Sequence, residues 1–504
     1  MKKFTIIPGQ MDLKSIQYIL KNSITCVLND SALHSINASC QYVKKIIEEN
    51  LTVYGINTGF GLLARERIST EQLEQLQRNL ILSHACGTGE LLSDKLVALI
   101  LLLKINALAQ GYSGVRKELI EALLTFFNKG IYPCIPAKGS VGASGDLCPL
   151  AHLALPLIGE GEVRYKGKIL SAKEGLQIAG LKSLQLAPKE GLALINGLQV
   201  STALCIQALF NTEILFEAAI LAGSLSVDAA FGSDVPFDDR IHLIRGHQAQ
   251  RDVALLYMEL LSGSEIRESH RDCTRVQDPY SLRCQPQIMG AVLHQIRFVA
   301  ETLGVEVNAV TDNPLIFVEQ NQILSGGNFH GEMLALAADN LSLAIAEIGA
   351  NSERRSALLI DKNFSGLPAF LVKECGLNSG FMNAHTTAAA CASDNKALAH
   401  PHSVDSMPTS ANQEDHVSMA TNAALRLFSM IENTLTIVAI ELLAACQGLE
   451  FHKPLTTSPK LKIIYDRVRE QITPYESDRY FAPEIALIKK KILKGEFTFD
   501  SISA

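Results

Sequence analysis

The chain lacks paired cysteines, an excess of positive charge and an N-terminal apolar segment long enough for export. Its eleven cysteines are scattered singly with no CxxC pair, and this odd number suits a reducing compartment better than a disulfide framework. The net charge of -7 provides no basic field for phosphates, which argues against a nucleic acid partner. The apolar stretch near the N-terminus is broken by Pro8, Gly9 and Gln10, too early for a signal peptide. These absences predict a cytoplasmic protein that acts on small molecules.

Uninterrupted apolar runs of membrane-spanning length and strand patterns are also scarce. The runs 96–103 and 435–440 are cut by charged residues, Lys104 in the first case, before they reach the roughly 20 residues of a span. We therefore interpret them as buried helices and expect no membrane partner. No repeated βαβ pattern occurs, and only 161–170 alternates around a Lys-Gly turn, which predicts one small hairpin.

Long segments rich in alanine and leucine dominate the remaining sequence. They lack proline and are apolar on nearly every face, which is typical of buried helices. We predict a mainly α fold with a central long-helix bundle that other helices or other subunits must cover, so we expect self-association. The segments are 200–225, 288–307, 332–350 and 420–448.

The chain order suggests three parts. We predict an N-terminal domain over 1–200, the long-helix bundle over 201–450, and a more charged C-terminal helical segment over 451–504 that packs outside the bundle. Functional groups tend to lie on loops held by a rigid scaffold. Glycine and proline mark such polar loops at 54–63, 133–149, 272–286, 325–331 and 401–416.

One loop can support unusual chemistry. The stretch 139–146, GSVGASGD, concentrates small residues where the backbone must fold tightly. Attack of the Gly145 amide nitrogen on the carbonyl carbon of Ala143 would close a five-membered ring, and loss of water would convert Ser144 into an exocyclic alkene. A plain glycine-rich turn is the alternative. The string matches neither a GxSxG nucleophile elbow, since Asp146 replaces the last glycine, nor a phosphate loop.

Several separate blocks accompany this tripeptide. They are GASGDL at 142–147, PLAH at 149–152, YGINTGFG at 54–61, QDPYSLR at 277–283, TDNP at 311–314 and GNFHGE at 327–332. Over about 54–419 the chain resembles the aromatic amino acid ammonia-lyases. In that family the Ala-Ser-Gly tripeptide cyclises into a methylidene-imidazolone group, MIO, which replaces an external cofactor. The resemblance also implies a homotetramer whose active sites are assembled from several chains.

The resemblance assigns roles to individual residues. Tyr280 matches the family's proposed base for the β-carbon proton, a task that requires a pKa lowered from about 10. Arg283 matches the residue that pairs with the substrate carboxylate. Tyr54 matches a second active-site tyrosine, and Asn196 matches the amide that hydrogen-bonds the MIO carbonyl. Two further positions are expected to contact substrate, namely Gln277 and Phe329.

The choice of substrate depends on the residues that meet the ring. His84 stands where histidine-specific members carry a histidine, although tyrosine-specific members also place one in this region. The block 410–419 resembles the histidine-specific version, and its Glu414 can accept an imidazole N–H bond that a phenyl ring would leave unmade. The resemblance therefore implies elimination of ammonia from L-histidine to give trans-urocanate, the opening of histidine breakdown. We expect no metal, because adjacent Asp415 and His416 have poor ligand spacing beside Glu414.

Two alternatives stay open at this stage. A tyrosine or phenylalanine ammonia-lyase or aminomutase of the same family would share the tripeptide. A non-catalytic helical assembly protein could keep the family shape without the modification. One departure from the family pattern bears on the site, because Leu198 stands where relatives commonly have threonine, and we expect this to alter how Asn196 is held.

Overall fold

The protein is described by a computed structural model that covers residues 2–22, 24–271 and 276–502. It is 60% helical and 8% strand, which confirms the mainly α prediction. The chain forms two compact units, each built from three stretches. Unit 1 comprises Met1–Gln207, Ala300–Ala338 and Pro401–Leu425, and unit 2 comprises Ala208–Val299, Asp339–His400 and Arg426–Ala504. The division into three consecutive parts stays a prediction.

Four helices of 22 to 31 residues lie where the alanine- and leucine-rich segments predicted them. Their bounds are Gln199–Ala229, Gln285–Glu306, Glu332–Ile360 and Ala420–Glu450. The first, third and fourth are long and apolar enough to cross a membrane by length and composition, and 78%, 61% and 72% of their apolar windows are buried within the chain. The apolar helices are thus longer than the uninterrupted apolar runs in the sequence, because a single charged residue does not end a helix.

The shorter helices of unit 1 begin and end at ordinary signals. Ser93 caps the helix Asp94–Leu108 by accepting from the Leu96 amide, and Gly130 ends Lys117–Lys129 at a φ of +65°. The other α-helices of this unit are Leu13–Lys21, Ala32–Glu48, Leu73–His84, Leu147–Ala154, Ala172–Ala179 and Glu190–Ile195. Its 3-10 turns are Gly61–Leu63, Thr70–Gln72, Leu155–Ile158 and Ser410–Asn412.

Strands are short and form small separate sheets in unit 1. The predicted hairpin at 161–170 is confirmed as Glu162–Tyr165 paired antiparallel with Lys168–Ser171, and Ile131–Pro133 adds a third strand. Lys2–Ile6 and Ile24–Leu28 pair in parallel. The remaining antiparallel pairs are Thr88–Leu91 with Pro136–Lys138 and Leu315–Phe317 with Gln322–Leu324.

Unit 2 contains a fully buried ion pair. Arg355 donates through Nη2 to Glu441 Oε2 at 2.8 Å, and the hydroxyls of Ser226 and Ser352 donate to the two carboxylate oxygens at 2.7 and 2.6 Å. Both charged side chains are 0% exposed. The shorter helices of the unit are Asp239–Arg245, Gln248–Leu261, Glu265–Glu268, Tyr280–Arg283, Lys362–Ser365, Met382–Leu398, Pro459–Arg469 and Ala482–Leu493, with 3-10 turns at Val235–Phe237, Ala369–Leu371 and Asp500–Ile502.

Breaking this buried pair from one side should be costly. Glu441→Leu leaves the Arg355 guanidinium charged and unpaired in the core, so we expect the free energy of unfolding to fall by about 3–5 kcal/mol. The double variant Glu441→Leu with Arg355→Met removes both charges, so its free energy of unfolding should fall clearly less. Denaturant unfolding of the three proteins measures the difference. Equal losses in the single and double variants would show that the stranded charge is not the cause.

Candidate active site

A pocket of about 1040 Å³ lies in unit 1 and gathers loops that are far apart in the sequence. The loops come from 54–68, 143–147, 313–330 and 410–416, and the helix Leu73–His84 and residues 192–196 complete the wall. Seven of the eleven predicted site residues line this pocket. They are Tyr54, His84, Ala143, Ser144, Asn196, Phe329 and Glu414.

The backbone at the end of the tripeptide leaves room only for glycine. Gly145 has a φ of +75°, and its backbone pairs with Gly197 as an isolated parallel bridge. The Asp146 amide donates to the Gly197 carbonyl at 2.7 Å. A Cβ on Gly145 would lie 2.4 Å from that same carbonyl oxygen, closer than any real contact. The requirement for glycine here is therefore both conformational and steric.

Ser144 is held at both ends by polar side chains. The Asn196 amide donates through Nδ2 to the Ser144 carbonyl oxygen at 2.9 Å. The Ser144 hydroxyl donates to Glu414 Oε1 at 2.5 Å. If the Gly145 nitrogen attacked the Ala143 carbonyl carbon, the Ser144 carbonyl would remain on the ring. Asn196 donates to that carbonyl, which is the contact that the family resemblance implies.

Asp146 anchors the loop from beneath. Its fully buried carboxylate accepts hydrogen bonds from the Ser201 amide at 2.7 Å and from the hydroxyls of Ser201, Thr421 and Ser140 at 2.7, 2.9 and 3.0 Å. Burial raises the pKa of Asp146, and these hydrogen bonds oppose that rise. The carboxylate ties the loop to two helices. Asp146 is part of the sequence motif, but the motif alone does not indicate this anchoring role.

Lys104 is a second residue whose role sequence reasoning missed. Its side chain is 1% exposed, and its ammonium group donates to the carbonyl oxygens of Ala193 and Asn196 at 3.0 and 2.8 Å. Burial lowers its pKa to about 7, while the charge of Asp312 opposes and that of Lys189 adds to the shift. Lys104 therefore fixes the backbone of Asn196. The available signal was a lone lysine inside an otherwise apolar helical run.

Leu198 does not disturb this arrangement, but it offers nothing to the Asn196 side chain. Its own amide donates to Thr311 Oγ1 at 3.1 Å, and its side chain is buried. The Asn196 Oδ1 atom is buried and has no hydrogen-bond partner among the described residues. Asn196 is thus oriented by Lys104 through its backbone and by Ser144 through Nδ2.

His84 and Glu414 meet at the wall of the pocket. His84 Nδ1 lies 2.9 Å from the Leu80 carbonyl, which only accepts, so Nδ1 carries the proton and Nε2 remains an acceptor. Burial lowers the pKa of His84 more than that carbonyl and the Glu414 carboxylate raise it. Burial would raise the pKa of Glu414, but hydrogen bonds from Ser144, Thr409 and Ser410 outweigh it and the net shift is downward. The site thus pairs a neutral imidazole with an ionised carboxylate at neutral pH.

Tyr54 and Phe329 are half-buried residues of the wall. The Tyr54 hydroxyl accepts from the Gly61 amide at 3.3 Å, which ties it to the loop that follows. Phe329 belongs to the segment that precedes the helix Glu332–Ile360. Both residues therefore line the pocket, and the roles that the resemblance implies for them stay predictions.

The other three side chains predicted for the site belong to unit 2 and are absent from the lining of this pocket. Gln277 is exposed, and Tyr280 is 68% exposed at the start of the short helix Tyr280–Arg283. The Arg283 guanidinium lies 4.8 Å from the centre of the Tyr280 ring. Arg283 Nε is buried and has no hydrogen-bond partner within the described ranges. In the single chain, Tyr280 and Arg283, which are the predicted base and the predicted carboxylate partner, therefore contact each other and do not line the pocket.

One group of side chains at the pocket wall has metal-ligating chemistry. His330, Glu332 and His416 bring their ligand atoms within 4.8 Å of one another. His416 Nε2 and Glu332 Oε2 are 3.9 Å apart, whereas bonds of about 2.0–2.1 Å to tetrahedral zinc require ligand atoms roughly 3.4 Å apart. The two imidazole rings are stacked at 5.7 Å, and His330 Nε2 lies 3.2 Å from the His416 carbonyl. The 3.9 Å spacing is wider than zinc ligands require, and the expectation of no metal stays a prediction.

The fold and the pocket define an aromatic amino acid lyase. The model of that family matches residues 11–470, and the chain belongs to it. A histidine ammonia-lyase of Legionella pneumophila strain Paris is 71% identical over 495 residues, which cover 98% of each chain. The family resemblance seen in the sequence is therefore confirmed.

Solved structures show the same fold but do not separate the substrates. A histidine ammonia-lyase from Trypanosoma cruzi superposes with a TM-score of 0.91 at 39% identity, covering 99% of this chain and 95% of that one. A tyrosine aminomutase from Streptomyces globisporus superposes with a TM-score of 0.92 at 32% identity, covering 97% of each chain. Similarity of fold therefore does not identify the substrate, and the side chains of the pocket are needed to distinguish the candidates.

Lys104 predicts a pH dependence of stability. Its pKa of about 7 in the folded chain lies below the ordinary 10.5, so the unfolded chain binds more protons between these values. The free energy of unfolding should therefore gain a contribution that rises with pH through this window, by up to about 1.4 kcal/mol per unit. Lys104→Met should remove that rise, as measured by denaturant unfolding between pH 6.5 and 9. The exposed Lys14→Met is the control, and parallel curves for wild type and Lys104→Met would contradict the assignment.

Proposed function

We propose that the chain eliminates ammonia from L-histidine to give trans-urocanate, with Ala143–Gly145 matured into MIO. The observation that carries this proposal is the placement of Ser144 between Asn196 and Glu414, in a pocket that His84 also lines. High identity to histidine ammonia-lyases over the whole chain supports the substrate. The alternatives in the same family have no comparable support from the side chains.

The residues present fit the proposed ring. Gly145 has a φ of +75° and carries no Cβ that would clash with Gly197, so the tight backbone turn that the ring needs is open to it. Ala143 is 6% exposed, so its carbonyl lies in a water-poor setting. Asn196 Nδ2 donates to the carbonyl that would remain in the ring, which would strengthen the ring as an electron acceptor. When formed, MIO supplies an electrophile that makes departure of the substrate amine easier.

Glu414 and His84 recognise the imidazole ring in this proposal. Once the Ser144 hydroxyl is gone, Glu414 Oε1 loses its donor and can accept an N–H of the substrate imidazole. Oε2 stays occupied, since the Thr409 hydroxyl donates to it at 2.6 Å. His84 Nε2 offers a second acceptor. A phenyl ring would offer Glu414 Oε1 no donor in place of the lost hydroxyl, which disfavours phenylalanine as the substrate. Tyrosine is disfavoured instead by the high identity to histidine ammonia-lyases.

Tyr280 and Arg283 act from a neighbouring copy in this proposal, as the family resemblance implies for a homotetramer. Tyr280 takes the β-carbon proton, and Arg283 binds the substrate carboxylate. The long helix Glu332–Ile360 supports self-association, because it leaves Met333, Leu336 and Leu343 between 45% and 60% exposed. Apolar side chains on one helix that stay exposed in a single chain favour burial against another copy. A cytoplasmic location is proposed on the sequence alone, from the scattered cysteines.

The histidine assay tests this proposal directly. Purified protein mixed with L-histidine should produce urocanate, followed by its ultraviolet absorbance, and Ser144→Ala should abolish the reaction. Because a phenyl ring offers Glu414 no hydrogen-bond donor, kcat/KM for phenylalanine should be roughly 10⁴-fold lower than for histidine. Turnover of tyrosine or phenylalanine in preference to histidine would assign the chain to one of the alternatives.

Mixed oligomers test the sharing of active sites. Ser144→Ala and Tyr280→Phe should each be nearly inactive alone, and co-expression should restore activity in a fraction of sites if the two residues act from different copies. Light scattering should give four times the chain mass of 54.8 kDa. A monomer with full activity, or no restored activity in confirmed mixed oligomers, would refute shared sites.

A further inference from the structure

The hydroxyl that the proposed maturation must expel already has a partner. Ser144 Oγ donates to Glu414 Oε1 at 2.5 Å, although the two residues are 270 positions apart in the sequence. A hydrogen bond this short between a hydroxyl and a carboxylate lies at the strong end of the range for such pairs. Glu414 therefore touches a reacting atom of the tripeptide before any substrate arrives.

The loop around Glu414 aims the carboxylate at that hydroxyl. The Thr409 amide donates to the Glu414 carbonyl at 2.9 Å, and the Glu414 amide donates back to Thr409 at 3.3 Å. The Thr409 hydroxyl occupies Oε2 at 2.6 Å. One oxygen is thus fixed by the loop itself, and Oε1 is left for Ser144.

The neighbouring carboxylate is not placed for the same task. Asp146 accepts its four hydrogen bonds from Ser140, Ser201 and Thr421, so both of its oxygens are occupied beneath the loop. Asn196 contacts the Ser144 carbonyl and has no described bond to the hydroxyl. Among the residues that the structure describes, Glu414 is the acid–base group in hydrogen-bond contact with Ser144 Oγ.

We propose that Glu414 catalyses the dehydration of Ser144 in the chain's own maturation, before it takes up its role toward substrate. The inference rests on the proposed modification of Ala143–Gly145. Ring closure forms a bond from the Gly145 nitrogen to the Ala143 carbonyl carbon. The Ala143 carbonyl oxygen leaves as one water with the hydrogens of the Gly145 and Ser144 nitrogens, and a double bond forms between the Ser144 nitrogen and the former carbonyl carbon. Glu414 then takes the proton from Ser144 Cα, and the electron pair of that C–H bond becomes the new double bond to Cβ.

The same step breaks the bond from Cβ to Oγ. Glu414 returns its proton to the departing oxygen, which leaves as the second water with its own proton, so the carboxylate is regenerated and no outside reactant is consumed. Cα is two bonds from Oγ, which places both ends of this proton transfer near Oε1. Glu414 thus serves first in the dehydration of Ser144 and then in binding the substrate imidazole. Loss of the Ser144 hydroxyl in the first step frees Oε1 for the second.

The test follows the mass of the tripeptide during cell-free synthesis of the full chain. Trypsin releases residues 139–164 as one peptide, because Lys138 and Arg164 flank a stretch without lysine or arginine. In wild type this peptide should become two waters lighter. In Glu414→Gln its dehydration should be slower by roughly 10²-fold or more, so the peptide stays unmodified or one water lighter. Glu414→Asp, which keeps a carboxylate, should recover part of the rate.

The matched control is Asp405→Asn, the same change of carboxylate to amide in the same loop region but outside the pocket lining. It should mature at the wild-type rate, and circular dichroism and Tm of both variants establish that they are folded. A folded Glu414→Gln chain that loses two waters at the wild-type rate would overturn the inference while leaving the proposed function intact. A wild-type peptide that never loses water would instead refute the proposed electrophile itself.

Discussion

Two hydrogen bonds to one serine organise the site. Asn196 holds the carbonyl of Ser144, and Glu414 holds its hydroxyl, so the tripeptide is presented to the pocket in one orientation. Each partner is fixed in turn by a deeper group, Lys104 behind Asn196 and Thr409 behind Glu414. The chemistry of a reactive tripeptide depends on such support, because a flexible glycine-rich loop would sample many other conformations.

Several charged side chains are buried around the loop. Asp146 and Lys104 are almost fully buried, and each makes hydrogen bonds that join separate parts of the chain. Lys189 and Asp312 form a buried ion pair at 2.7 Å nearby. Buried charges cost desolvation energy and add little net stability, so their value here is to fix the geometry of backbone groups. The geometry of the loop therefore depends on buried charged groups that are not part of the pocket lining.

Much of the fold and the tripeptide could be predicted from the sequence. The four long helices follow from alanine- and leucine-rich composition, and the hairpin follows from alternation around one turn. The small residues of 139–146 predict a tightly folded backbone, and the positive φ of Gly145 and its contact with Gly197 agree with that prediction. These features depend on residues that are close together in the sequence, so the sequence pattern alone can predict them.

The supporting groups could not be predicted, because they depend on contacts between distant segments. Lys104 resembles a charge that ends an apolar run, and only the packed helix shows it buried against Asn196. The contact of Glu414 with Ser144 joins residues 270 positions apart. Tyr280 and Arg283 are assigned by resemblance, and neither side chain is in the lining of the described pocket.

The most direct test of the central claim relates turnover to modification of the tripeptide. Samples taken at successive times during synthesis contain different fractions of chains whose 139–164 peptide is two waters lighter. If the matured tripeptide is the electrophile, the rate of urocanate formation from L-histidine is proportional to that fraction and vanishes when the fraction is zero. Turnover of L-histidine by chains whose tripeptide is wholly unmodified would contradict the account.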